Sequence, residues 1–313
     1  MNTFLRRITG LIVFAGICLC ASVMTLSAAD AVPSEWLRGL SWRGIGPACF
    51  GGRVADIQGI PGNPNIIYAA HSSAGLFKSI NGGITFTSVF DTGNTLSIGA
   101  IAVPADNPDL IYVGTGEGAV RNSISYGDGI YKSTDGGKTW AHCGLKETER
   151  FSKIVLHPRN PDIIYAAATG HAWGPNTERG IFRSRDRGST WEKILYIDPT
   201  TGASDVAIDP ENPLIIYAGM YDYLRQPWHF RSGGPGSGLY RSEDGGDSWT
   251  LLTDPALENG LPGEKLIGRI GVSVSPADPK VVYAVIESQE TGMLWRSDDR
   301  GRNWTMVTSS RRI

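Results

Sequence analysis

Apolar residues along this chain fall in short runs bounded by turn residues, with very few stretches carrying the 3.6-residue period of a helix. One phrase recurs five times: Asn63 to Ala69 (NPNIIYA), Asn107 to Val113 (NPDLIYV), Asn160 to Ala166 (NPDIIYA), Asn212 to Ala218 (NPLIIYA) and Asp278 to Ala284 (DPKVVYA). Asn-Pro marks a turn, and the β-branched run with its tyrosine marks a strand. An apolar segment precedes each phrase, at 54–57, 98–103, 153–156, 204–208 and 270–274. A further run follows each one, at 75–78, 129–132, 180–183, 238–241 and 293–296. These read as strands one, two and three of a repeated unit.

The repeat then closes on a Ser-x-Asp-x-Gly-x-Thr/Ser-Trp box. It stands at Ser133 to Trp140 (STDGGKTW), Ser184 to Trp191 (SRDRGSTW), Ser242 to Trp249 (SEDGGDSW) and Ser297 to Trp304 (SDDRGRNW). A worn copy, Ser79 to Phe86 (SINGGITF), has Asn81 for the aspartate and Phe86 for the tryptophan. The serines are 54, 51, 58 and 55 residues apart, a period that signals stacked supersecondary units. Glycine in the box accepts positive φ, so the box is a tight turn between strands. The carboxylates of Asp135, Asp186, Asp244 and Asp299 accept from the turn's own N–H groups. Trp140, Trp191, Trp249 and Trp304 open strand four, each a large apolar ring worth roughly 1.5–3 kcal/mol when buried. One carboxylate per turn without a following bidentate Glu argues against calcium loops.

Four antiparallel strands repeated every fifty-odd residues predict an all-β propeller, with blades at about 47–92, 93–145, 146–198, 199–255 and 256–313. A hairpin solenoid is the alternative, and it lacks visible caps for its sheet edges. Ser41 to Ile45 reads as a closing strand for a blade beyond these five, which implies part of a larger ring; a self-contained five-blade ring is the other option.

The boxes resemble the BNR/Asp-box repeat superfamily, which includes sialidases, xyloglucan-hydrolysing enzymes, a photosystem assembly factor and the sortilin receptors. The opening Trp42 to Pro47 (WRGIGP), Gly51 to Val54 and NPNIIYAA look most like bacterial exported sortilin-like proteins often named glycosyl hydrolases. In the enzymes of this superfamily the boxes lie away from the active site, so the resemblance puts no catalysis on them. The sialidase Phe/Tyr-Arg-Ile-Pro tetrapeptide is absent. Where xyloglucan-cleaving relatives carry a first-blade aspartate after strand two, this sequence aligns Ser72, which cannot act as a glycosidase acid or base.

Composition changes the picture mainly by exclusion. Lys+Arg of 29 against Asp+Glu of 31 gives no electrostatic case for nucleic acid. Arg6 and Arg7, an apolar run from Ile8 to Leu26 and Ser27-Ala28-Ala29 read as a signal peptide over 1–29, followed by a linker over 30–40. Export to periplasm, cell surface or medium follows, with no stable membrane span after cleavage; an uncleaved anchor is the alternative. Cys18 and Cys20 lie inside that segment, leaving Cys49 and Cys143, too few for a disulfide scaffold.

Long loops between strands two and three, 114–128, 169–179 and 220–237, gather the candidate chemistry on one face. Arg121, His171, Trp173, Arg179, Tyr221, Arg225, Trp228, His229 and Arg231 are the candidate ligand-binding residues, rings and charges that suit a carbohydrate or the end of a peptide. Glu178/Arg179 and Asp222/Arg225 read equally as solvated loop pairs, and Trp173 and Trp228 as rings pinning their loops. Glu117, Glu178, Asp222 and Glu287 are the carboxylates available for glycoside hydrolysis. His171 and His229 lack metal-ligand spacing, and no cofactor motif is present: Gly114-x-Gly116-x-Gly118 precedes no helix. Two functions stay open, a binding module for peptide, protein or glycan and a glycoside hydrolase.

Overall fold

A computed structural model of the chain describes residues 52–263, 266–288 and 293–310. The expected signal peptide, the linker, the strand at 41–45, Cys18, Cys20 and Cys49 lie outside the described residues.

Five sheets follow one another along the chain, each antiparallel with its strands paired in sequence order. Blade 1 comprises Val54–Ile60, Asn63–His71, Gly75–Ser79 and Thr87–Ser88. Blade 2 comprises Ile98–Ala102, Ile111–Thr115, Ile130–Ser133 and Ala141–His142, and blade 3 Phe151–Leu156, Ile164–Ala168, Gly180–Ser184 and Glu192–Leu195. Blade 4 comprises Thr201–Ile208, Ile216–Gln226, Gly238–Ser242 and Thr250–Leu251, with His229–Ser232 added beside its second strand. Blade 5 comprises Ile267–Val274, Val282–Ser288, Leu294–Ser297 and Thr305–Thr308. Strand four starts one residue after the box tryptophan instead of on it. In blade 1 the first turn is Pro61-Gly62, with Gly62 at φ 79° and Ile60 paired to Asn63, so Asn63-Pro64 opens the strand.

The first strand of each blade packs against the first strand of the next, from blade 1 through to blade 5, and no comparable contact joins blades 5 and 1 among the described residues. The described sheets thus form a β-propeller arc. The core is four separate slabs, each between two neighbouring blades: Tyr68 with Ile98 and Ile101, Tyr112 with Phe151 and Ile154, Tyr165 with Val206, and Tyr217 with Ile267 and Ile270. Every first strand carries a register shift near its start, and the residue at that kink can reach sideways. Asp56 accepts the Ile101 N–H at 3.1 Å and Asp205 the Val272 N–H at 2.9 Å, pinning blade to blade.

The box turns are built as their residues require. In blade 2, Asp135 Oδ1 accepts from Lys138 N–H at 3.0 Å and Thr139 N–H at 2.9 Å, and Oδ2 from the Thr139 hydroxyl at 2.6 Å. Those donors hold the Asp135 carboxyl far below the usual carboxylate range, and the same cause brings Asp186 down to about 2. The worn box keeps the turn with one hydrogen bond reversed: Asn81 Nδ2 donates to Thr85 Oγ1 at 2.8 Å.

Candidate functional site

The three long loops meet in a crown tied together by buried arginine and tyrosine. Blade 4's second strand runs eleven residues, past the blade edge, and folds back through Pro227-Trp228 into His229–Ser232 as a hairpin arm. On this arm Tyr223 donates its hydroxyl to the His171 carbonyl at 2.9 Å, crossing to blade 3. Arg150 is fully buried, donating to the Gly170 carbonyl at 2.7 Å and to the Tyr223 oxygen. The Arg179 guanidinium lies 5.0 Å over the Tyr223 ring. Arg225 donates to Asn122 Oδ1 of the blade 2 loop, so the arm reaches across the crown.

Several of the expected ligand contacts are therefore framework. Arg179 is 1% exposed and spends its donors on Asn176 Oδ1 and the carbonyls of His171, Gly174 and Thr200, at 2.7 to 3.0 Å. Tyr221 is buried, its hydroxyl 2.8 Å from Ser232 Oγ, and burial pushes its pKa up to about 12. The loop ion pairs also differ from those expected by sequence proximity: Glu178 pairs with Lys193 at 3.2 Å and Asp222 with Arg231 at 2.7 Å. His171 Nε2 lies 3.1 Å from the Glu147 carbonyl and 3.4 Å from Glu149 Oε1. Arg121 and Trp173 remain accessible, His229 is exposed, and Trp228 at the arm's tip is 81% exposed, so it does not pin its loop. Phe230 and Tyr126 add exposed rings on the same loops.

Each candidate carboxylate has at least one partner, and Glu117 Oε2 is buried without one. Glu117 is 2% exposed and bonded to Arg53, with Arg121 3.9 Å away. Glu287 accepts the Ser232 hydroxyl at 2.7 Å and the Arg269 N–H at 3.0 Å. Arg150 is not visible as a site element in the sequence, and the 220–237 segment reads there as a loop and not as a hairpin arm. Arg150 carries no local signal, whereas the alternation of Tyr221, Tyr223 and Arg225 before Pro227-Trp228 is a hairpin pattern.

Below the crown, the first strands of blades 1 to 4 wall a cavity of about 650 Å³ lined by Asp56, Gln58, Lys153, His157 and Arg159 among others. Lys153 Nζ stands 3.5 Å from Asp56. Among the described residues no group of three or more His, Cys, Asp or Glu is placed to hold a metal ion, and no helix is long and apolar enough to cross a membrane.

Fold and boxes define an Asp-box β-propeller. A family model described as "Sortilin, neurotensin receptor 3" matches residues 128–258, and one described as "BNR-Asp box repeat" matches residues 294–307. These matches, with the fold, support the BNR/Asp-box, sortilin-like β-propeller superfamily for this chain. A xyloglucanase from a Paenibacillus species is 25% identical over 246 residues, 71% of this chain and 23% of that protein. Xyloglucanase Xgh74A of Acetivibrio thermocellus is 27% identical over 209 residues, 57% of this chain and 23% of its own. The chain thus spans about a quarter of the length of these curated relatives. The structure of an ancestral GH74 enzyme aligns with a TM-score of 0.63 at 24% identity, over 86% of this chain and 33% of that one. The Niastella koreensis GH74 enzyme aligns at 0.60 and 22%, over 82% and 38%.

Proposed function

We propose that this is an exported propeller that binds a carbohydrate chain on its crown without cleaving it. One observation carries the reading: Glu117, Glu178 and Asp222 are each matched to a cation, Arg53, Lys193 and Arg231. A glycosidase needs two positioned carboxyls, one to give a proton and one to attack or to activate water, and each of these three spends an oxygen on a cation instead. The exposed rings of Trp173 and Trp228 supply stacking faces for sugars. The similarity to xyloglucanases supports a polysaccharide as the ligand class, and Arg6 to Ala29 supports export. A second reading, capture of a peptide, is supported by the sortilin match, whose residues 128–258 include the blade 3 and blade 4 loops.

The test is affinity electrophoresis of the protein in xyloglucan gels, with reducing-sugar release measured in parallel. Retardation weakened about tenfold or more by Trp228→Ala, with no sugar released, is the expected result. Release of reducing ends that Glu117→Gln or Glu287→Gln abolishes would establish hydrolysis instead. Binding to a peptide array with no retardation in the gel would favour the second reading.

A further inference from the structure

Four arginines are buried among the described residues, and they fall into two kinds. Arg183 reaches Glu192 at 2.8 Å and Asp247 at 2.7 Å, and Arg241 reaches Glu243 at 2.6 Å. Arg150 and Arg179, the two in the crown, pair with no carboxylate among the described residues. Arg150 donates from Nε to the Gly170 carbonyl and from Nη2 to the Tyr223 hydroxyl, and Arg179 donates to Asn176 and three carbonyls. The carboxylates close by are committed elsewhere. Glu149 faces His171 at 3.4 Å, and Asp198 accepts from the N–H groups and hydroxyls of Thr200 and Thr201 at 2.7 to 2.9 Å.

The two guanidiniums flank one ring, Arg150 at 5.7 Å and Arg179 at 5.0 Å from the Tyr223 centroid. Two like charges held out of water without a counter-charge are a costly arrangement. Burial, joined by the Arg150 charge, accordingly pulls Arg179 below the usual guanidinium range. Polar atoms are also left over. Arg150 Nη1 is buried without a hydrogen-bond partner, and so are Thr169 Oγ1 and Thr148 Oγ1. Thr169 stands across from Arg150, its N–H bonded to the Arg150 carbonyl at 3.0 Å and its own carbonyl 3.3 Å from the Tyr223 hydroxyl. Each of the three unfilled atoms can donate, and none is a carboxylate or carbonyl oxygen. That set does not suit a metal cation. A water would fill the donors and leave both charges uncompensated.

We infer that the crown holds a small monovalent anion, of the size and charge of chloride, against Arg150 Nη1 and Thr169 Oγ1 where blades 3 and 4 meet. Enclosure favours a halide over a phosphate or a sugar acid: Arg150, Thr169 and Tyr223 are 0 to 1% exposed. The blade 2 loop closes over them, since a Cβ on Gly116 would stand 2.8 Å from Arg150 Cγ. By fixing one edge of Arg150, the anion steadies the other edge on Tyr223 and so ties the blade 4 arm to blade 3. It is separate from whatever the exposed rings of Trp173 and Trp228 take.

The test is thermal melting of the full chain at constant ionic strength, with sodium chloride or bromide exchanged for sodium methanesulfonate. The expected result is a saturable rise in melting temperature with either halide, roughly 5–10 °C at about a hundredfold excess over half-saturation. Arg150→Gln should flatten that dependence. Thr169→Val keeps the side chain's shape and removes one donor, so it should raise the half-saturating halide concentration about fivefold, and it serves if Arg150→Gln does not fold. Crystals grown in bromide should show an anomalous peak in contact with Arg150 Nη1. Melting curves that coincide in methanesulfonate and halide overturn the inference, as does a halide effect that both variants keep in full. Water density without an anomalous signal at Arg150 Nη1 in the bromide crystals overturns it as well.

Discussion

Trp140→Ala tests the role given to the box tryptophan. The ring is half-buried in the slab between blades 1 and 2, edge-on to the fully buried Phe90 with centroids 4.8 Å apart. Its Nε1–H donates to the Val89 carbonyl at 2.7 Å, so one side chain fastens the second blade to the residue just after the last strand of the first. Removing a fully buried tryptophan costs about 3–5 kcal/mol, and half-burial places this one near ~3 kcal/mol. Of that, about 1 kcal/mol belongs to the hydrogen bond and a similar amount to the edge-on aromatic pair. For a chain of this size each kcal/mol lowers the melting temperature by roughly 2–4 °C, so a fall of about 6–12 °C is expected by calorimetry or circular dichroism. Trp140→Phe retains a ring and loses only the donor, which should cost about 1 kcal/mol. Trp173→Ala, on a loop and 39% exposed, should cost well under about 1 kcal/mol. Equal melting shifts for Trp140→Ala and Trp173→Ala would refute the assignment of the box ring as a blade fastener.

Three further outcomes follow from the same geometry. Asp186 has a folded pKa of about 2 against an ordinary 3.8, so its stabilising contribution is full above about pH 4 and is lost as pH falls through 2. Acid titration of the fold should show this window, and Asp186→Asn should stay folded, as Asn81 does in the worn box, with a shallower acid limb. Gly301→Ala should destabilise by about 1–3 kcal/mol in urea melts, since φ is +79° and the added Cβ would stand 2.9 Å from Tyr217 Cε1. Tyr217→Phe removes the hydroxyl bond to Arg300 and should cost about 1 kcal/mol, while Tyr283→Phe, at a partly exposed ring, should leave the melting temperature nearly unchanged.

The sequence by itself determined the repeated unit. Strand order, the five blades and the acidic turns were legible because a Ser-x-Asp-x-Gly box makes its hydrogen bonds within five residues, and an IIYA run needs only its neighbours to become a strand. The crown was half legible. Loop lengths placed His171, Trp173 and Trp228 on one face, and nothing local foretold that Trp228 would stand free while Arg179 was consumed by its own loop. Tertiary structure alone decided which charges meet. Glu117 takes Arg53 from 64 positions away, and Arg150 finds the Tyr223 hydroxyl from 73, because blade packing sets these distances and desolvation then makes an unpaired charge costly. The same packing turns Tyr217 into a buried clasp and leaves Tyr283, in an almost identical phrase, facing solvent: identical local chemistry acquires its role from whether a neighbouring sheet covers it.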